Sequence, residues 1–143
     1  MEAYVTALDD HAAEQEQMGR WHILMVNRDP ALLDVVRVLL DEERYNVTST
    51  NAVPLTFALI AAARPALIII DLEITHQHGW DLLVRLHAEA RTAAIPVIVT
   101  ARDARLLAHA DRYPDLYGAD VQLVIPFSAD TLLDAVRALI GTA

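Results

Sequence analysis

From Trp21 onward the chain alternates between short apolar runs and longer stretches in which apolar residues recur every three or four positions. The runs at 22–26, 45–50, 66–70, 95–100 and 121–125 read as strands. The run at 66–70 is unbroken aliphatics, the pattern of a strand buried on both faces, and 95–100 reads as another buried strand. Between them, Leu32, Leu33, Val35, Val36, Leu39 and Leu40 carry helical spacing to about Glu43. Asp29 followed by Pro30 reads as an N-cap and first helical position. Further helices are expected over 54–63, stopped by Arg64-Pro65, over 80–89, over 103–112 and over 129–140 behind Ser128. Pro114 and Gly118 are expected to break the segment between the last two. Five strands alternating with five helices imply an α/β, doubly wound parallel sheet with helices on both faces.

Residues 1–20 fall outside this rhythm: they carry five acids and one Arg and read as a frayed or loosely docked extension to a domain spanning 21–141. They lack a basic n-region and an apolar h-region, and no apolar stretch approaches the ~18 residues of a membrane span. A cytoplasmic protein is expected, with no membrane partner. Charge narrows the classes further. Twenty acids against 11 basic residues give −9, which argues against nucleic acid binding by this surface. There is no cysteine, hence no disulfide, thiolate metal site or cysteine nucleophile. All 11 basic residues are arginine, so any ligand-facing cation has to be arginine, histidine or a metal.

In such a sheet, ligands meet the carboxyl ends of the strands. That rule nominates Asn27, Arg28 and Asp29 after the first strand, Asp71 and Glu73 after the third, Thr100 and Ala101 after the fourth, and Ile125 after the fifth. Asp71 follows five aliphatic residues; a carboxylate so placed is reactive, paired, or a cap for the turn toward Gly79. His76-Gln77-His78 offers imidazoles near Glu73, a conceivable transition-metal set, although histidines two apart in a loop are usually only solvated. Trp80 reads as an anchor at a helix start, and Asp81 and Glu89 as a solvated face. A small flavodoxin-like enzyme is the remote alternative, because four glycines form no phosphate loop and no Ser/His/Asp order is present.

Five segments together carry a family resemblance. Ile23-Leu24-Met25-Val26 with the polar triplet before Pro30, Leu67-Ile68-Ile69-Ile70-Asp71-Leu72, Gly79-Trp80-Asp81-Leu82-Leu83, Ile95-Pro96-Val97-Ile98-Val99-Thr100-Ala101, and Gly118-Ala119-Asp120 through Pro126-Phe127 resemble the CheY-like receiver domain of bacterial two-component response regulators. The resemblance covers about 21–141. It implies a flavodoxin-like strand order 2-1-3-4-5, a phosphoacceptor at Asp71 and a phosphoryl-sensing hydroxyl at Thr100. It also implies a histidine kinase or other signalling protein as partner. A homodimer is implied through the fourth helix (104–112), fifth strand (121–125) and fifth helix (129–140).

The same resemblance exposes departures. The family's acidic, Mg²⁺-holding pair falls at Asn27 and Arg28, its conserved lysine at Ile125, its switch aromatic at Gln122, and its loop proline at Thr75. Mg²⁺ requires hard oxygen ligands, and a guanidinium removes one and repels the ion. At about 4 Å and an effective dielectric of about 20, an Arg28–Asp71 pair would attract by roughly 4 kcal/mol before desolvation. Arg28 is therefore expected to take the metal's place, with Glu73 sharing the pairing, while Asp29 serves as a cap. Mg²⁺ is expected for the family, and these departures count against it in this chain. The expectation is a stand-alone receiver, or a fragment of a larger regulator, impaired in Mg²⁺-dependent phosphorylation. The alternative is a phosphorylation-independent pseudo-receiver that works through protein contacts.

Overall fold

A computed structural model describes residues 21–27, 29–50, 56–72 and 78–143. The extension at 1–20, Arg28, the start of the helix expected over 54–63, Glu73, Thr75, His76 and Gln77 lie outside the described residues. Among the described residues the order is β1 (His22–Val26), α1 (Pro30–Glu42), β2 (Asn46–Thr50), α2 (Thr56–Ala63), β3 (Leu67–Asp71), α3 (His78–Ala88), β4 (Val97–Ala101), α4 (Ala104–Arg112), α5 (Pro114–Tyr117), β5 (Val121–Val124) and α6 (Ala129–Ile140). The five strands form one sheet in the order β2-β1-β3-β4-β5, with every neighbouring pair parallel. The expected fold class and strand order are those observed.

The helix count is corrected from five to six. Pro114 does not merely interrupt the chain; it occupies the first position of α5, where its missing N–H costs no hydrogen bond. Other boundaries move by one or two residues. Notably, β3 extends through Asp71 and β4 through Ala101, so both polar strand ends belong to the paired sheet.

Side chains alternate across the strands and build two cores. Ile23, Met25, Leu67, Ile69, Ile98 and Leu123 pack with Val36 and Leu40 of α1 and Leu132 and Val136 of α6. Leu24, Val26, Ile68, Ile70, Val97 and Val99 pack with residues of α2, α3 and α4, including Phe57, Ile60, Leu83, Leu86 and Leu107. All five residues of β3 and of β4 are buried. Trp80 is nearly buried in the second core rather than exposed toward a partner, and its ring meets Tyr117 at 4.8 Å and His109 at 5.3 Å. The first core is closed at its far end by the Tyr45 hydroxyl, which donates to the Gly141 carbonyl, and by an Arg137–Glu43 ion pair of 3.0 Å. Burial raises the Tyr45 phenol above its ordinary value.

The turn from α5 into β5 is fixed by close packing. A Cβ at Gly118 would lie 2.5 Å from the Pro114 carbonyl oxygen. His87 Nε2 lies 2.5 Å from the Gly118 carbonyl, and Asp120 accepts from the Val97 N–H at 2.8 Å. Gly118→Ala is expected to destabilise the domain by about 1–3 kcal/mol. The check is urea unfolding, with a lowered midpoint at unchanged slope.

Candidate functional site

The strand ends bring four of the expected residues into one row. Val26 pairs with Ile70, which sets Asn27 level with Asp71; Asp71 pairs directly with Thr100. Thr100 pairs with Leu123, and Ile125 lies two positions further on. The backbone ladder continues past the strands, since Asn27 N donates to Thr50 O (3.2 Å) and Ile125 N to Ala101 O (2.9 Å). By the alternation of strand side chains, Asn27, Asp71, Thr100 and Ile125 project from the α1/α6 face, and Ala101 from the opposite one. The four in the row expose only 5%, 8%, 1% and 7% of their surfaces. Together they form a desolvated floor at the carboxyl edge of the sheet.

Gly79 brings α3 against this edge. A Cβ there would sit 3.6 Å from the Asp71 carbonyl oxygen and 3.9 Å from Ile70 Cγ2, ordinary van der Waals contact, so the start of the helix packs directly on the strand end. Gln122 does not face the pocket. Its Nε2 donates to the Leu107 carbonyl (3.1 Å) and to Asp111 Oδ1 (2.9 Å), fastening β5 to α4. Val124, two residues on along the edge strand, is 47% exposed.

Asp29 is committed elsewhere. Its carboxylate caps α1, accepting from Ala31 N (3.0 Å) and Leu32 N (3.4 Å), and pairs with Arg102 at 3.0 Å. The positive end of the α1 dipole is thereby satisfied within the protein. Asn27 is fixed by the same turn: its Oδ1 accepts the Asp29 N–H at 2.8 Å, which determines which amide atom is oxygen. Its Nδ2 is buried without a hydrogen-bond partner among the described residues, and so is Thr100 Oγ1. The expected roles of Arg28 and Glu73 fall outside the described residues.

This donor set does not suit Mg²⁺. An octahedral hard cation needs several oxygens, whereas Asn27 presents its N–H₂ and Asp29 spends its carboxylate on N–H groups and a guanidinium. Among the described residues no group of three His, Asp or Glu side chains is placed to hold a metal. No described helix is long and apolar enough to cross a membrane.

Arg102 is the residue that sequence reasoning missed. It follows β4, while its partner Asp29 follows β1, and β3 lies between those two strands. The ion pair therefore spans the end of the strand that carries Asp71. Its signal in the sequence was an arginine two positions past Thr100, in the loop after a strand's carboxyl end.

The sequence model of the response regulator receiver domain matches residues 23–137. The DNA-binding dual master transcriptional regulator RpaA of Synechocystis is 31% identical over 118 residues, covering 82% of this chain and 48% of that protein. The chain spans about half the length of several curated relatives it matches. In structure it is similar to the receiver domain of the sensor histidine kinase PA1611 of Pseudomonas aeruginosa, solved with magnesium in its active-site cleft. That match has TM-score 0.70 and 23% identity, and covers 85% of this chain and 98% of that one. The chemotaxis protein CheY4 of Vibrio cholerae superposes with TM-score 0.71 at 19% identity, covering 82% and 97%.

A buried hydroxyl without a partner carries its full desolvation cost, so an isosteric apolar side chain relieves it. Thr100→Val is expected to leave stability unchanged or raise it by up to about 1 kcal/mol, read from urea unfolding.

Proposed function

The chain belongs to the response regulator receiver domain family, a family of signalling modules rather than enzymes, and on that premise we propose that Asp71 is its phosphoacceptor, with Mg²⁺-dependent phosphoryl transfer impaired. Receiver domains of two-component systems interact with histidine kinases and typically bind Mg²⁺. The observation that carries the proposal is the buried row Asn27–Asp71–Thr100–Ile125. A carboxylate and a hydroxyl stand side by side on paired strands, but their neighbours on either side are an amide turned donor-first and an aliphatic side chain.

Phosphoryl transfer depends almost wholly on positioned charge. Isoleucine donates no hydrogen bond and carries no charge. Transfer from a phosphodonor to Asp71 is therefore slow where another receiver would supply metal and ammonium. The kinase, or another signalling protein, approaches the carboxyl edge of the sheet where Asp71 sits.

A second reading, a pseudo-receiver that binds its partner without phosphorylation, is favoured by Gln122. Its two hydrogen bonds tie β5 to α4 through a side chain that does not touch the pocket. On either reading, the surface along α4, β5 and α6 is the candidate contact for a signalling partner or a second copy of the chain, and the α4–β5 connection lies beside it. Tyr113, Leu116 and Val124 are exposed there.

Intact-mass spectrometry with a small phosphodonor and Mg²⁺ separates the two readings. Slow addition of one phosphoryl group, abolished by Asp71→Asn and accelerated about tenfold or more by Ile125→Lys, is expected. No adduct under any condition, with partner binding unchanged in Asp71→Asn, leaves the pseudo-receiver reading.

A further inference from the structure

The pocket floor has an unusual polarity. Of its polar side chains, Asn27 presents Nδ2 and Thr100 presents Oγ1, both buried and both without a partner among the described residues. Such groups are rare in folded proteins and call for a ligand or an ordered water. Nδ2 can only donate, because Oδ1 is held by the Asp29 N–H. The complementary group is an acceptor. A divalent cation is the opposite of what an amide N–H₂ recognises.

The rim supplies charge of the matching sign. The Arg102 guanidinium, tethered to Asp29 at 3.0 Å, spans the end of β3 from the β4 side. Both side chains are substantially exposed, at 58% and 36%, so the pair is weak and readily exchanged. A phosphoryl group would offer the guanidinium a bidentate oxyanion partner.

We propose that this pocket is a metal-independent seat for a phosphoryl group, in which Asn27 Nδ2 donates directly to a phosphoryl oxygen and Arg102 supplies the cation. The inference rests on the phosphoacceptor reading for its favoured source, a phosphoryl group carried covalently by Asp71. Forming it from acetyl phosphate, an Asp71 carboxylate oxygen attacks phosphorus, the bond from phosphorus to the acetate oxygen breaks, and acetate leaves with the electron pair. No proton is transferred. Free inorganic phosphate shares the chemistry, but the Asp71 charge opposes it. The covalent adduct removes that opposition by turning the carboxylate into an ester-like oxygen.

Heteronuclear NMR on the ¹⁵N-labelled chain reads the Asn27 side-chain amide directly. With acetyl phosphate in EDTA, its resonance is expected to shift in step with the gain of one phosphoryl group by intact mass. In the second arm, inorganic phosphate is added to Asp71→Asn, where a shift without mass gain identifies the free ion. Asn27→Asp, which keeps the shape and replaces the donor by an acceptor, is expected to lower phosphoryl occupancy in EDTA about tenfold. Arg102→Gln is expected to lower it similarly, with the backbone spectrum of each variant showing the fold intact.

The outcomes divide cleanly. An adduct at Asp71 that forms only with Mg²⁺ and leaves the Asn27 amide unmoved overturns the seat while keeping the phosphoacceptor. A shift with inorganic phosphate but no adduct at Asp71 keeps the seat and defeats the phosphoacceptor. An Asn27 amide unmoved in both arms, or full occupancy in EDTA for both Asn27→Asp and Arg102→Gln, overturns the seat.

Discussion

Burial of the central strand on both faces is the constraint from which the rest of the molecule follows. Every side chain of β3 is enclosed, with Leu67 and Ile69 in one core and Ile68 and Ile70 in the other. A strand so enclosed has no wall on which to display chemistry. Its only outlet is the carboxyl end, where Asp71 emerges while still paired with Thr100. On the flanking strands Asn27 and Thr100 reach the edge level with Asp71, and Ile125 lies two positions past the partner of Thr100. The site is a by-product of register, and register is enforced because a slip of one residue would exchange the two cores.

This explains what the sequence could and could not disclose. An unbroken aliphatic run located β3 and a largely apolar one β4, and the Asp29-Pro30 and Ser128 signals located the starts of α1 and α6, because burial and capping are written locally. The row of four polar-edge residues was legible from the strand-end rule alone. The short α5 was not, since Pro114 signals a break and a first helical turn with the same residue. Nor was the Arg102–Asp29 pair, which joins residues 73 apart in sequence and exists only because β1 and β4 flank β3. The orientation of the Asn27 amide was equally hidden, being decided by a single backbone N–H two residues on.

The absence of lysine acquires a structural meaning in this setting. With arginine as the sole strong cation, a compact ammonium deep in the pocket is unavailable, and Ile125 continues the apolar wall instead. The nearest described cation in the strand-end loops, Arg102, is long, planar and placed at the rim. The buried row thus holds one carboxylate, Asp71, beside the hydrogen-bonding groups of Asn27 and Thr100, while the guanidinium stands at the rim. The chemistry of such a site is set by its side chains and not by the fold that presents them.

The two tryptophans are divided between the two sides of the sheet. Trp21 packs at the margin of the α1/α6 core with Tyr45 at 6.2 Å, and Trp80 lies in the opposite core against Tyr117 and the His109 ring of α4. Each indole therefore senses a different layer of the molecule. An imidazole in edge contact with Trp80 makes that residue's emission sensitive to where α4 sits, whereas Trp21 senses the anchoring of the last helix. The chain thus carries two built-in optical channels, one for the helix held by Gln122 and one for the body of the domain, without any added label.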